Sequence, residues 1–382
     1  MQERFPRGKS AIVGTATYGI GEAPGHNSLE MAANAGLLAL ENAGLKLSDV
    51  DSLSVCIPSD PMCGLSLAEY YGIHPRMINN NRPGGSAFMT HAISAALAIE
   101  AGLCEVALIT YGATPRTSGG KLVPPPPPVY EAPYGVSIFV AYALAATRHM
   151  HQFGTTRRQF AEVAVAARQW AMRNPDAYMR EPMTIEECLA ARPVATPFTV
   201  RDCCLVVDGA GAVVMTSAAR AKDLVKRPAY LLGGAEATTH ANIAQMKDLT
   251  VTAAKDSGAR AFAQAGLKPV DVDVLQLYDA FTINPILFLE DLGFCAKGEG
   301  GAFVEGGRIA PGGSLPVNTN GGGLSCVHPG MYGIFAMVEA ARQIGGECGE
   351  RQVPEVNVAL AHGNGGFLSS QATLLLGSQD TL

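Results

Sequence analysis

Short apolar runs alternate with longer stretches of helical period along most of this chain. The pattern predicts a strand over 11–16, a helix over 28–43, a strand over 51–56, a helix over 86–101 and a strand over 105–111. Helix 86–101 carries Ala, Ile and Leu at helical spacing and ends in Ala101-Gly102, where glycine suits a left-handed C-terminal residue. From Val206 the plan resumes, with the turn Asp208-Gly209 leading into a strand through Met215. There follow strand 229–236, helix 251–265, strand 273–277, helices 283–292 and 330–344, and strands 356–361 and 371–376. Alternating strand and helix predicts an α/β fold with a largely parallel sheet covered on both faces.

One phrase occurs twice. Ala43-Gly44-Leu45-Lys46-Leu47-Ser48-Asp49-Val50-Asp51-Ser52-Leu53 returns as Ala265-Gly266-Leu267-Lys268-Pro269-Val270-Asp271-Val272-Asp273-Val274-Leu275. Each copy closes a helix and opens a strand. A repeat spaced by half the chain indicates two duplicated α/β halves, 1–222 and 223–382, related by a pseudo-two-fold axis. The first half is interrupted at 113–200 by helical stretches near 137–150, 157–173 and 184–191. This insertion reads as a cap over a site. The run Pro124–Pro128 within it is a stiff polyproline II segment, either a spacer or a docking ligand.

Composition narrows the function. The chain has 382 residues, 48% of them hydrophobic and only 16% charged, which is enough apolar content for a large core. The net charge of −6 comes with no basic block, so nothing asks for nucleic acid. No apolar run reaches the length of a membrane span. The segment Met1–Ser10 mixes charges and does not read as a secretory signal. Nine cysteines contain no Cys-x-x-Cys pair, so no metal site is expected, and reduced thiols in the cytoplasm are.

Three motifs at strand ends or a helix start carry the candidate chemistry: Tyr278-Asp279-Ala280-Phe281, the glycine-rich stretch Asn318 to Gly330, and His362-Gly363-Asn364-Gly365-Gly366. Pro329 suits the first position of the following helix, which would place His328 at its N-cap. There the helix dipole would hold the imidazole neutral, as a donor suited to an oxyanion. Tyr278 is either an active hydroxyl or a core phenol, His362 either a site residue or a structural one, and Cys326 either a reactive thiol or buried filler.

Together these motifs resemble the thiolase superfamily, in particular its sterol-carrier and lipid-transfer-protein-like members. Asn320-Gly321-Gly322 through His328-Pro329 is similar to the Asn-x-Gly-Gly and Gly-His-Pro motif, with Val327 in place of glycine. Tyr278-Asp279-Ala280-Phe281 is similar to Asn-Glu-Ala-Phe or His-Asp-Cys-Phe, and His362 to Gly366 to the C-terminal Cys-x-Gly-Gly motif. The resemblance implies an acyl coenzyme A substrate, no covalently bound cofactor, and a site that includes Asp279, Asn320, Gly365, Gly85 and Ser86. It also marks departures. The stretch Asn79 to Ser86 matches the family's nucleophile turn but holds no cysteine, and none lies between Cys63 and Cys104. By the same resemblance His362 replaces the second family cysteine and Tyr278 replaces the family Asn.

Without a thiolate the acyl-enzyme step is missing, and retro-aldol cleavage of a β-hydroxyacyl-CoA, including one with a steroid or lipid side chain, is the expected reaction. Tyr278, or else Tyr332, would be the base if nearby donors or charge lower its pKa. An acyltransferase of acetyl-CoA acetyltransferase type using Cys326, and a non-catalytic acyl-CoA or lipid carrier, stay open. The resemblance further implies a homodimer paired through the strand that ends in Ile109, and a small OB-fold partner with a zinc ribbon.

Overall fold

The computed structural model describes residues 5–119, 130–224 and 227–382; the run Pro124–Pro128 lies outside them. The first half comprises β1 (Ser10–Gly21), α1 (Ser28–Asn42), β2 (Ser52–Cys56), α2 (Cys63–Tyr71), β3 (Met77–Asn79), α3 (Ala87–Glu100) and β4 (Val106–Ala113). The insertion supplies α4 (Ile138–Phe153), α5 (Arg157–Ala171), α6 (Ile185–Ala190) and a small hairpin of β5 (Pro193–Ala195) and β6 (Phe198–Thr199). The chain returns to the first half through β7 (Asp208–Ser217) and α7 (Ala218–Leu224). The second half holds β8 (Ala229–Thr238), α8 (Ala254–Ala265), β9 (Val274–Leu277), α9 (Ile283–Asp291), α10 (Gly300–Phe303), α11 (Gly333–Gly345), β10 (Val358–Gly365) and β11 (Ser370–Gly377).

The repeated phrase does the same work in both halves. Gly44 and Gly266 end α1 and α8 in the left-handed region, at φ +67° and +66°. Asp49 then accepts from the Lys46 amide at 2.8 Å, and Asp271 from the Lys268 amide at 2.7 Å. The second aspartate of each copy reaches across to the start of a parallel neighbour strand. Asp51 accepts from the Glu105 and Val106 amides, and Asp273 from the Asn357 and Val358 amides. Two helix stops and two strand clamps thus fix the relation between outer helix and sheet from one short sequence.

Among the described residues nine strands form one sheet in the order β3-β2-β4-β7-β1-β8-β11-β10-β9. Leaving out the edge strand β3, the order β2-β4-β7-β1 is mirrored by β9-β10-β11-β8, as the duplication requires. The sheet is mixed, not largely parallel as the alternation predicts. Parallel pairs are β2 with β3 and β4, and β9 with β10; the β1, β7, β8 and β11 pairings are antiparallel. The reason is local: β11 follows β10 after a tight turn, and only antiparallel neighbours can be joined that way. Helices α1 and α8 cover the outer faces, whereas α3 and α11 pack on each other and on strands of both halves. The starts of these two central helices meet so closely that a Cβ on Gly333 would overlap the Gly85 carbonyl.

One further expectation changes. Strand β4, which ends after Ile109, lies between β2 and β7, so its edges are already used and it cannot pair with a second copy. The free edge of the first half is β3. No helix among the described residues is long and apolar enough to cross a membrane.

Candidate active site

Tyr278 follows directly on β9, and its amide bonds the His362 carbonyl of the parallel strand β10 at 3.1 Å. That bond fixes the backbone and aims the ring between the two central helix starts. A Cβ on Gly85 would overlap the Tyr278 ring, so glycine there is what makes room for it. The Tyr278 hydroxyl lies 3.0 Å from His328 Nε2, with the Gly330 carbonyl more distant at 3.4 Å. The Nε2 contact runs either way with the tautomer: with the ring proton of a neutral His328 on Nδ1, Tyr278 donates to Nε2; with it on Nε2, the imidazole donates to the phenol and the phenol to the Gly330 carbonyl. Nδ1 is buried and has no hydrogen-bond partner among the described residues. Both rings of the pair stand edge-to-face, as do those of Tyr278 and Tyr332.

His328 is neutral, but not for the reason the sequence gives. The helix begins at Gly333 with Tyr332 as its cap, so His328 precedes it by a turn bent at Gly330, φ +109°. Burial is the main cause that pulls its imidazole down to about 4, opposed by its own backbone. The same burial pushes both phenols, Tyr278 and Tyr332, well above their ordinary range. The lowered phenol pKa that a lone tyrosine base needs is therefore not met; desolvation outweighs the donors nearby.

The glycine stretch before His328 forms a single π-helical turn, Gly322–Cys326, which the apolar pattern does not announce. Asp279 holds this turn from beneath, accepting from the Gly323 amide at 2.6 Å and the Leu324 amide at 3.4 Å. Burial raises its carboxyl to about 7 against those bonds. The Asp279 oxygens are thus spent on the turn, and its part is to shape the site. Asn320 Oδ1 accepts from the Gly322 amide and from the Tyr332 hydroxyl, both at 2.8 Å. Ser86, at the start of α3, bonds Ser370 through its hydroxyl at 2.9 Å, and a Cβ on Gly365 would overlap the Pro83 carbonyl. Gly365 and Ser86 thus pack tightly at the start of α3, next to the Gly85 that makes room for the Tyr278 ring.

The C-terminal part of the chain, residues 235–378, matches the family model described as thiolase C-terminal domain-like. The chain is 33% identical over 378 residues to an acetyl-CoA acetyltransferase of Methanothermobacter thermautotrophicus, covering 93% of this chain and 96% of that protein. The chain belongs to the thiolase superfamily. It is also 34% identical to the 17-hydroxy-3-oxo-4-pregnene-20-carboxyl-CoA lyase of Mycobacterium tuberculosis, over 89% of this chain and 92% of the lyase. Among solved structures it superposes on the Ltp2-ChsH2(DUF35) aldolase with a TM-score of 0.88 at 30% identity, covering 97% of this chain and 98% of that one.

Within this thiolase fold the third motif does not deliver what it promises. The His362 side chain turns away from Tyr278, and the site-facing positions of β10 are Gly363 and Gly365, which abut Ser86 and Pro83. His362 Nε2 lies 2.9 Å from Gln371 Oε1 and Nδ1 2.9 Å from the Thr373 hydroxyl. The amide oxygen can only accept, so His362 carries its proton on Nε2. From there a chain of bonds runs through Gln371 and Asn364 to the Tyr142 hydroxyl on α4, and on to the Gly366 carbonyl. Tyr142 in turn stacks on Phe281 at 4.5 Å between ring centres. His362 thus registers the insertion on the hairpin of β10 and β11. Cys326 is likewise buried at 2% exposure, with its thiol facing Asn174 and pushed far up by desolvation. Burial of this kind suits a packing role more than a thiolate.

Proposed function

We propose that this thiolase-superfamily protein cleaves the carbon–carbon bond of a β-hydroxyacyl-CoA by retro-aldol chemistry, through a thioester enolate and without an acyl-enzyme. The observation that carries the reading is the buried Tyr278–His328 pair with an unpartnered Nδ1. A phenol held well above its usual range is no base by itself. It takes the substrate hydroxyl proton only while passing its own to Nε2. As that proton leaves, the Cα–Cβ bond breaks, a ketone or aldehyde forms, and the bonding pair becomes the enolate of the shortened thioester. The Nδ1–H, now on an imidazolium, is a charged donor for the enolate oxygen, the partner that this nitrogen otherwise lacks. Proton return to the enolate carbon yields the shortened acyl-CoA and balances the reaction.

The relatives named as a steroid carboxyl-CoA lyase and as an aldolase support this reading and make a 17-hydroxy steroid side-chain thioester the first substrate to test. The neighbour named as an Ltp2-ChsH2(DUF35) aldolase supports a second chain, which we take to be the expected OB-fold protein with a zinc ribbon. We further place a homodimer contact at the β3 edge, where Ile78, Met62 and Leu65 leave 39%, 58% and 55% of their surface exposed. Nine free thiols support a reducing compartment such as the cytoplasm. The acetyltransferase relative favours a second reading through Cys326, but a buried thiol with a raised pKa opposes it.

The deciding experiment incubates the chain, alone and with a co-expressed partner, with the steroid thioester and follows products by mass spectrometry. Ketone and shortened acyl-CoA are expected, abolished by Tyr278→Phe. A stable acyl adduct on Cys326, lost with Cys326→Ala along with turnover, would overturn the proposal.

A further inference from the structure

Resting on that reading of the site, we infer that Arg168 is a positioning residue through which the inserted domain holds the Gly322–Cys326 turn in its working shape. Arg168 lies on α5 and is only 3% exposed. Its Nε bonds the Ser325 hydroxyl at 3.0 Å and its Nη1 the Glu181 carbonyl at 2.8 Å. Neither acceptor is charged. A guanidinium this deep with no carboxylate bonded to it among the described residues is costly to bury: desolvation together with nearby Arg201 weakens its charged form, and the charges of Glu181 and Glu187 offset this only in part. What the arrangement gains is a grip on one hydroxyl in the middle of the turn.

The grip has further points. The Met179 amide bonds the Ser325 carbonyl at 2.9 Å and the Tyr178 amide the Cys326 carbonyl at 3.1 Å. Asn174, at the end of α5, donates to the Asn320 carbonyl at 2.9 Å. The turn so held has two outlets. Asn320 fixes the Tyr332 hydroxyl, and Val327 leads directly to His328. A shift of the turn therefore moves both a phenol and the imidazole, although Arg168 touches neither. Misplacement of reacting groups by an ångström costs on the order of 100-fold in rate.

The test uses the full chain, with its partner if turnover needs one, and compares Arg168→Met, Arg168→Lys and Ser325→Ala with the unsubstituted protein. We expect kcat to fall about tenfold or more in Arg168→Met and Ser325→Ala with KM within about threefold, partial recovery in Arg168→Lys, and a double variant no worse than the worse single. Hydrogen exchange should accelerate over residues 320–328 and stay unchanged over β10 and β11. Unchanged kcat in folded variants, or a change in KM alone, overturns the inference. If Arg168→Met fails to fold, Ser325→Ala carries the test, since it deletes only the acceptor. If the unsubstituted chain does not cleave a β-hydroxyacyl-CoA, the functional reading fails separately. Exchange then decides: acceleration confined to 320–328 sustains the positioning role, and its absence overturns it.

Discussion

The Tyr278 hydroxyl and His328 Nε2 are 3.0 Å apart although fifty residues of chain separate them. Each group is poor alone: the phenol is too weak an acid, and the imidazole too weak a base, at neutral pH. In the proposed relay the coupled pair moves one proton in and one proton on. Tyr278→Phe keeps the ring on Gly85 and removes only the relay, and should lower kcat by roughly 10²- to 10⁴-fold. His328→Ala should do the same, and the double variant should be little worse than the worse single, because the two act as a unit. Steady-state kinetics of the three variants check this; losses that add on a logarithmic scale would argue for independent roles.

The pH profile follows from the same burial. His328 must be neutral for Nε2 to accept, and its pKa is lowered to about 4. His328 should therefore give no step through the usual histidine range and act on activity only as pH drops toward 4, where Nε2 becomes protonated. The phenols, raised well above their usual range, give no alkaline limb below about pH 10. Asp279, raised to about 7, is the group that titrates in between, so any step near 7 in a kcat/KM profile measured from pH 5 to 9 should disappear in Asp279→Asn. An acid limb near 6.5 that persists in Asp279→Asn would show that substrate meets a solvated imidazole instead.

Much of this architecture was legible in the sequence. The repeated phrase revealed the duplication because its glycine and aspartates perform backbone tasks that tolerate few other residues. Tyr278 stands out as a polar group at a strand end, and His328 as one in a glycine-rich stretch before a helix. Orientation was less legible. Strand β10 is buried on both faces, so no alternation of apolar and polar residues shows which side His362 takes. The start of α11 was misplaced because Pro329 reads as a helix opener, whereas the backbone turns again at Gly330. The grip of Arg168 on Ser325 joins positions 157 residues apart, with no local pattern to betray it.

His362 makes that difference measurable. Placed in the site, His362→Ala would damage chemistry; placed between Gln371 and Thr373, it damages the fold. The substitution strands two buried polar side chains, each unmet bond costing about 1–3 kcal/mol. The denaturation midpoint should drop accordingly while kcat of the folded protein stays within about threefold. Tyr142→Phe, at the other end of the same chain of bonds, should behave alike but more mildly, since only one hydroxyl is lost. A 100-fold fall in kcat with an unchanged midpoint in His362→Ala would return the residue to the active site.

Gly85 tests whether the position of the Tyr278 ring matters, and not merely its hydroxyl. Its backbone is not left-handed, so alanine brings no conformational strain; the whole effect is the overlap of one methyl with the ring. The ring cannot retreat freely, because His328 and Tyr332 stand edge-on behind it. Overpacking of this kind costs about 1–3 kcal/mol. Any displacement that relieves it lengthens the 3.0 Å contact to Nε2. Gly85→Ala should therefore lose activity nearly as far as Tyr278→Phe does, at a modest cost in stability. Combining it with Tyr278→Val removes the overlap and should restore the denaturation midpoint without restoring turnover. Full activity in the single Gly85→Ala variant would mean that the relay does not depend on this placement of the ring.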